Sequence, residues 1–463
     1  MSRPNILWYV TDQQRFDTIG ALGNPHVRTP TLDRLVAEGT TFTHTYCQSP
    51  ICTPSRSSYM TGLYPSRLHH TRNGNDTFPD HPPVISKLLA NAGYTCGLIG
   101  KFHLRSSGHR TEPRIDDGFS YWKFSHAPRD DWKTGHDYAE WVRKKGGDLD
   151  AMRLSPERVP TEFHQTTWAS ERSIEFISQD HDGPWMLNVN VYDPHPPFTP
   201  PKSYADQFDS EALPGPYFRE SDLAQQAKLA AVDFQDEVRT PEEHDARRKQ
   251  ADYYAMIAQI DDQFARILDV LDQTGQRENT VVIFTSDHGE TLGDHGLMYK
   301  GCRFYEGLVR VPLIFAGPGI QAGQQCDGLV ELLDKSASIL ELAGLEVPDY
   351  FQGKSLLPVL RGEVDGSELR AFARCEYFDA LDPHFTGGSG AFATMYRDAQ
   401  YKLSMYHSHD LGELYDLAVD PWEFEDRWDS ADHQATKHEL IRRSFNAHVN
   451  LSTDMGSERI APM

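Results

Sequence analysis

Residues 250–290 read QADYYAMIAQIDDQFARILDVLDQTGQRENTVVIFTSDHGE, and this stretch decides the fold class. Tyr254, Ile257, Phe264, Ile267, Leu268 and Leu271 recur at helical spacing, which predicts a long amphipathic helix over about 250–273. Gly275 ends it. Thr280–Thr285 then forms a short β-branched, aromatic run with no polar alternation, the mark of a strand buried on both faces. It runs straight into Ser-Asp-His-Gly-Glu. A helix delivering the chain to a buried strand, with charged residues at the strand's carboxyl end, is the repeating unit of a parallel α/β sheet.

The same rhythm appears on both sides. Asn5–Val10 is predicted as a strand. Thr29-Pro30 then opens a helix with Leu32, Leu35 and Val36 on one face, stopped at Gly39. Val84, Ile85, Leu88 and Leu89 form another helical face, ended by Gly93, with a strand over Tyr94–Ile99. Trp185–Val191 and Val311–Phe315 are further buried strands. The expected fold is α/β: a large, mostly parallel central sheet sandwiched by helices, occupying residues 1–366. Residues 105–183 and 202–250 are charged, aromatic-dotted and poorly periodic, and are read as insertions over one sheet edge. Tyr121, Trp122, Phe124 and Trp132 there are read as local packing. From about 367 the pattern changes to short strands with turn signals, AFATMYRDAQYKLSMY and ELYDLAVDP, predicting a C-terminal subdomain over 367–463 with an antiparallel sheet.

Composition bounds the function. Of 463 residues 38 % are hydrophobic, enough for a substantial core, and 68 acidic against 45 basic residues give a net charge of −23. Such a surface repels nucleic acid and anionic membranes. An anionic substrate would need local attraction from a metal or a few cations in a cleft. The N-terminal apolar run is a first strand rather than a signal peptide, and no stretch approaches transmembrane length. The six cysteines (Cys47, Cys52, Cys96, Cys302, Cys326, Cys375) show no disulfide spacing. A soluble, cytoplasmic protein is expected; whether it forms homo-oligomers stays open.

Ligands of open α/β sheets bind beyond the carboxyl ends of the strands. Asp12 and Gln13 follow the first strand. Lys101 and His103 follow Tyr94–Ile99, and Asp193 and His195 follow Trp185–Val191. Asp287, His288 and Glu290 follow Thr280–Thr285, with Lys300 a short loop later. Asp12, Gln13, Asp287 and His288 make a divalent-cation set; the oxygen ligands fit Ca²⁺ or Mg²⁺, and the nitrogen tilts it towards Mn²⁺. Lys101, Lys300, His103 and His195 complement a tetrahedral oxyanion, as phosphoryl or sulfuryl transfer requires.

The nucleophile is sought in ICTPSRSSYM, residues 51–60. Thr53 reads as an N-cap and Pro54 as the first helical residue, with Gly62 ending the helix, so Cys52 stands just ahead of a helix start. Thiolate phosphatases place an Arg six positions after the cysteine, and here that residue is Ser58. Cys52-Thr53-Pro54-Ser55-Arg56 instead resembles the C-x-P-S-R signature of the sulfatase family. NILWYVTDQQR, GKFHL, DPHPPF, SDHGETLGDHGL with its following Lys, and YKLSMY…ELYDLAVDP resemble family stretches in the same order.

The resemblance implies an alkaline-phosphatase-like fold, and Cys52 oxidised to formylglycine by a maturation enzyme that reads Cys-x-Pro-x-Arg. The hydrated aldehyde is a geminal diol. One hydroxyl attacks sulfur and expels the alcohol; the other loses its proton, re-forms the aldehyde and releases sulfate. It further implies Asp12, Gln13, Asp287 and His288 as ligands of one divalent ion (Ca²⁺ or Mn²⁺) that also meets residue 52. Arg56 would hold the diol's negative charge. Lys101, His195 and Lys300 would contact the sulfate and leaving group, His103 would be the base that ejects sulfate, and Asn73 a further anion contact. Many sulfatases carry Asp-Asp where this chain has Asp12-Gln13, and Asn where it has His288. Both changes resemble the subgroup of phosphonate monoester hydrolases and choline-sulfatase-like enzymes.

The leading expectation is hydrolysis of a small organic sulfate monoester. Its alternatives are a phosphonate monoester or phosphodiester hydrolase with the same nucleophile, and a catalytically silent binding protein. His407-Ser408-His409 reads as exposed loop rather than a metal clip, and Gly317–Gly319 as a turn rather than a nucleotide site. Glu376–Phe385 (EYFDALDPHF), followed by Gly387–Gly390, reads either as a lid or as a connection. As a lid, its rings with Asp379, Asp382 and His384 would suit an apolar or cationic alcohol.

Overall fold

In a computed structural model, residues 3–107, 111–130, 135–367, 369–381, 390–407 and 409–453 are described. The strands are β1 (Asn5–Thr11), β2 (Gly39–Tyr46), β3 (Thr95–Gly100), β4 (Tyr121–Phe124), β5 (Trp185–Asn190), β6 (Thr280–Ser286), β7 (Arg310–Val311), β8 (Leu313–Ala316) and β9 (Gln324–Glu331). They form one mixed sheet in the order β4-β3-β5-β1-β6-β8-β2-β7, with β9 also paired to β2. β4, β3, β5, β1 and β6 are mutually parallel and consecutive. The antiparallel pairs all involve β7 or β8.

Strand periodicity divides the core in two. Ile6, Trp8 and Val10 of β1 point to one face, Leu7 and Tyr9 to the other. The first face is covered by helices at Cys52–Thr61, Ile85–Asn91 and Leu332–Leu342, through Tyr59, Met60, Ile85, Leu89, Ile339 and Leu340. The second is covered by helices at Pro30–Glu38, Gln165–Ile177 and Ala246–Gln273, through Leu32, Leu35, Trp168, Phe176, Phe264 and Leu268. These side chains are almost wholly buried, each worth about 1.5–3 kcal/mol.

A separate antiparallel sheet, β10 (Ala373–Phe378), β11 (Phe392–Arg397), β12 (Tyr401–Tyr406) and β13 (Leu411–Asp416), lies in the C-terminal part. The final helix, Gln434–Thr453, packs Leu440 and Ala447 against its Tyr396, Leu403 and Leu414. All six cysteines are buried and free. No helix among the described residues is long and apolar enough to cross a membrane.

The structure departs from the sequence reading in several places. Val311–Phe315 is not one strand: the chain breaks at Pro312 between β7 and β8, whose carbonyl instead accepts from the Thr285 hydroxyl at 2.8 Å. The stretch 105–183 supplies the edge strand β4 and the covering helix Gln165–Ile177, so Tyr121, Trp122 and Phe124 belong to the sheet. Trp132 lies outside the described residues. The long helix starts at Ala246 rather than near Gln250.

Candidate active site

Four of the strand ends singled out in the sequence belong to β3, β5, β1 and β6, which are neighbours in the sheet, so their loops meet. Asp12 N donates to Asp193 O at 3.2 Å and Asp287 N to Thr11 O at 3.3 Å, locking three of those loops together. Lys101 is turned in by Gly100. At φ 96° and with a Cβ that would fall 1.9 Å from Asn190 O, that position accepts only glycine.

The helix carrying Cys52 corrects one expectation. It begins at Cys52 itself, with Ile51 extended as N-cap, so Thr53 is inside the first turn and Pro54 is its third residue. Proline is tolerated there because first-turn amides have no intrahelical partner. Asn73 Oδ1 serves that turn, accepting from Thr53 N at 3.3 Å and Thr53 Oγ1 at 3.0 Å. Gly62 closes the helix in the left-handed region at φ 74°.

Donor atoms of Asp12, Cys52, Asp287 and His288 all lie within 4.8 Å of one another, in a fully buried cluster. Cys52 Sγ is 3.8 Å from Asp12 Oδ1 and 3.2 Å from His288 Nε2. His288 Nδ1 donates to Gly289 O at 2.8 Å, which fixes the ring and leaves Nε2 facing the cluster. Lys300 Nζ sits 2.8 Å from Gln13 Oε1, 2.9 Å from Cys52 Sγ and 3.4 Å from His288 Nε2. A cation is therefore already drawn to this donor set. Two carboxylates, an amide oxygen and an oriented imidazole fit one divalent ion.

Electrostatics follow from burial. Burial and Asp12 push the Cys52 thiol up, yet Lys101, Lys300 and His288 outweigh them and bring it down to about 7. Burial opposes ionisation of Asp12, but Lys101, Arg56 and Lys300 hold its carboxyl well below the usual range. Burial lowers the His288 imidazole, and Asp287 and Cys52 reverse this to about 9. A metal ligated by Nε2 would displace that proton.

Arg56 reaches the carboxylates of this cluster. Its guanidinium donates to Asp287 Oδ2 (2.9 Å), Asp12 Oδ2 (3.1 Å), Lys101 O (3.1 Å) and Asn190 Oδ1 (3.1 Å). It clamps the two carboxylates that face residue 52, so tertiary partners rather than helix stability account for a cation near the positive end of this helix.

A cavity of about 680 Å³ opens above Cys52, lined by Asn73, Lys101, His103, His195 and Lys300 among others. Lys101 Nζ bonds Asp12 Oδ2 at 2.6 Å and lies 3.7 Å from Cys52 Sγ. His195 Nδ1 donates to Pro196 O at 2.6 Å, leaving Nε2 its lone pair. Burial, then Lys300, keeps His195 neutral. His103, at φ 57°, is likewise kept neutral by burial, Lys101 and His126, and its Nδ1 has no hydrogen-bond partner among the described residues. A larger cavity of about 750 Å³ is lined by Phe16, Tyr217 and Trp422, but none of the strand-end groups faces it, and its Arg15 is paired with Asp17 and Asp294.

Sequence reasoning missed several neighbours. Glu112 accepts from the backbone N–H groups of His103 (2.6 Å), Leu104 (2.6 Å) and Arg105 (2.8 Å), holding the loop that carries His103. His126 follows β4 and packs edge-on against His103 at 4.5 Å; reading 121–124 as a strand would have found it by the strand-end rule. Tyr192 lies beneath both His195 and Lys101. Glu290, which the sequence already placed after its strand, accepts from the Gln13 amide and from Leu292 N at 3.0 Å. Asp379 is ion-paired with Arg72 rather than presented to the cavity, while Asp382, His384 and 387–389 lie outside the described residues. His407 Nε2 bonds Thr394 Oγ1 at 2.8 Å; Ser408 lies outside the described residues.

A buried metal-fitting cluster beneath two lysines, at the carboxyl edge of a mostly parallel sheet, defines a hydrolase of tetrahedral oxyanion esters. The comparisons agree: a family model described as Sulfatase matches residues 4–345, and one described as N-sulphoglucosamine sulphohydrolase, C-terminal, matches 293–449. An arylsulfatase of Clostridium perfringens is 29 % identical, covering 91 % of this chain and 89 % of its own. The multifunctional alkaline phosphatase superfamily protein PehA of Trinickia caryophylli is 32 % identical, covering 92 % and 91 %. The solved phosphonate monoester hydrolase of Agrobacterium radiobacter superposes with a TM-score of 0.82 at 26 % identity, covering 97 % and 96 %. The chain belongs to the sulfatase family, a family of sulfuric ester hydrolases that generally uses a divalent metal and formylglycine.

Proposed function

We propose that the protein hydrolyses sulfate monoesters of a small organic alcohol or phenol, at residue 52 matured to formylglycine, beside one divalent ion held by Asp12, Gln13, Asp287 and His288. The observation that carries this reading is the convergence of three metal-competent donors, Asp12, Asp287 and His288, on Cys52, with Lys101 and Lys300 on the same sulfur. When bound, the ion would lower the pKa of the attacking hydroxyl and neutralise charge on the ester. A hydrated formyl group offers one hydroxyl to attack and a second whose deprotonation re-forms the carbonyl.

The chain's own residues supply the rest. Lys101 and Lys300 bind the oxyanion, and burial beneath the cavity strengthens that attraction. Neutral His103, with its unpartnered Nδ1, serves as the base for the second step. His195 accepts at Nε2 and orients the leaving-group side. Arg56 keeps the two carboxylates fixed, and Asn73 stands at the anion's edge. Maturation would be by an enzyme that reads the pentapeptide at Cys52.

A second reading, hydrolysis of phosphonate monoesters or phosphodiesters at the same residue, is favoured by the Agrobacterium match and by Gln13 and His288 standing where many sulfatases differ. Steady-state kinetics of protein co-produced with a maturation enzyme, on aryl sulfate, aryl phosphonate and aryl phosphodiester, separate the two. The first reading expects the highest kcat/KM on the sulfate. A phosphonate preference of tenfold or more overturns it in favour of the second.

A further inference from the structure

The cavity over Cys52 has an unusual charge make-up for this chain. The protein carries 23 more negative than positive charges, yet Lys101, Lys300, Arg129 and Arg153 line the cavity together with three histidines. No Asp or Glu is among its described lining residues. The cations fall into two tiers by burial. Lys101 and Lys300 are 1 % and 2 % exposed, on the floor beside Cys52. Arg129 is exposed and Arg153 half-buried, at the rim. The two floor lysines are already sufficient to bind the ester oxyanion, as proposed above. The rim arginines are surplus to that task.

The rim is built by the segment whose sequence showed no readable pattern. Arg129 is in the loop following β4, and Arg153 is in the short helix Leu149–Leu154. Arg153 Nη1 touches Asp150 Oδ1 at 3.2 Å, but that carboxylate is 56 % exposed. Such a solvated pair is worth about 0–1 kcal/mol, so a substrate anion readily replaces it. Ser106, Ser107 and Gln235 line the same cavity and add uncharged polar groups. Guanidinium groups bind carboxylate and tetrahedral oxyanions alike by paired N–H donation to two oxygens.

We infer that the alcohol half of the substrate carries a second anionic group, a carboxylate or a further sulfate, which Arg129 and Arg153 bind while the ester to be cleaved sits on Lys101 and Lys300. The inference rests on the proposed reaction and gives it a substrate class. It also reverses the sign expected from Asp379, whose carboxylate is spent on Arg72. A cationic alcohol meets repulsion at this rim.

The test uses matched aryl sulfates that differ in one substituent, carboxylate against carboxamide, in the meta and para positions, together with the same pairs as aryl phosphonate esters. Wild-type enzyme is expected to favour the carboxylate member of at least one pair by roughly tenfold in kcat/KM, the scale of one charge-assisted contact. The Arg129→Gln, Arg153→Gln double variant is expected to bring that ratio close to one. The ratio is taken within one enzyme sample, so loss of folded or matured protein does not move it. Raising the salt concentration is expected to shrink the wild-type ratio and leave the variant's unchanged. Equal kcat/KM across every pair in the wild type, or a carboxylate preference that survives in the double variant, overturns the inference. Turnover of neither ester class instead removes the reaction on which it rests, and the inference with it.

Discussion

Replacing Asp287 by Asn separates a metal site from a polar loop, because the change alters charge without altering shape. In the wild type Asp287 Oδ1 accepts from Gln13 N (3.0 Å) and His288 N (2.9 Å), and Asn keeps that oxygen. Oδ2 accepts from Arg56 Nε at 2.9 Å, and there the Asn amide would set donor against donor. Both partners are at most 1 % exposed, so water does not repair the loss. Stranding one partner of a buried pair costs about 3–5 kcal/mol. Asp12 still holds the other edge of the guanidinium at 3.1 Å, which keeps the cost near about 3 kcal/mol. A chain of this length has an unfolding entropy of about 1 kcal/mol per kelvin, so Tm drops by about 3 °C. The second consequence is metal loss. An ion at about a hundred times its Kd stabilises the wild type by about 2.7 kcal/mol, a rise of about 3 °C that Asp287→Asn should not show. The assays are calorimetry with and without added Mn²⁺ or Ca²⁺, metal analysis after dialysis, and kcat/KM, which should fall by about a thousandfold or more. Position 287 lies outside the Cys-x-Pro-x-Arg pentapeptide, so maturation of residue 52 is not disturbed. A variant that keeps stoichiometric metal and the wild-type metal-induced Tm shift would refute the assignment.

Mass spectrometry of the peptide spanning residue 52, from protein co-produced with a maturation enzyme, should show sulfur replaced by oxygen with loss of two hydrogens; full activity with only cysteine there would end the formylglycine reading. Glu112→Gln should lower kcat by about tenfold with little change in KM, because one uncharged acceptor cannot hold all three amides that position His103. Burial raises the Glu112 carboxyl from 4.5 to about 7 despite those amides, so the folded state binds this proton more tightly than the unfolded state. Its stabilising contribution is complete below about pH 4.5 and is lost as pH rises through about 7, and Glu112→Gln should flatten that part of the Tm–pH curve. Gly100→Ala forces a Cβ onto Asn190 O, and should cut turnover by displacing Lys101 more than it cuts expression; activity within twofold of wild type would contradict the role given to that turn.

What the sequence disclosed is set by periodicity. β1, β3, β5 and β6 are continuous apolar runs buried on both faces, and these four neighbours carry Asp12, Lys101, His195, Asp287 and His288. Strands whose side chains break that rule were invisible. β2 reads GTTFTHTY and β9 reads QQCDGLVE, polar strings whose strand character comes from sheet pairing rather than from hydrophobic pattern. β4 was hidden by its length of four residues, and with it went His126 and the rim beyond. The start of the Cys52 helix was misplaced for a local reason. Thr53-Pro54 matches the capping preference, but Asn73, twenty residues on, does the capping work, and a tertiary partner leaves no local trace. The partners of Arg56 became legible only once the sheet put Asp12 beside Asp287.

The division of the cavity into floor and rim bears on the choice between sulfur and phosphorus. A sulfate monoester, a phosphonate monoester and a phosphodiester each present one negative charge around a tetrahedral centre. On the proposed reading, Lys101, Lys300 and one divalent ion would neutralise that single charge equally well in all three, since charge and size, not the identity of the central atom, set the Coulomb energy. On the proposed reading, charge at the floor does not separate these three esters from one another. Discrimination among them must come from contacts that differ between substrates, and those lie on the alcohol side, beyond the lysines, where Arg129 and Arg153 line the exit. On this argument the substitutions that alter sulfur-to-phosphorus preference most are changes at the rim that alter which leaving group is held, while changes at Lys101 or Lys300 lower all three activities together.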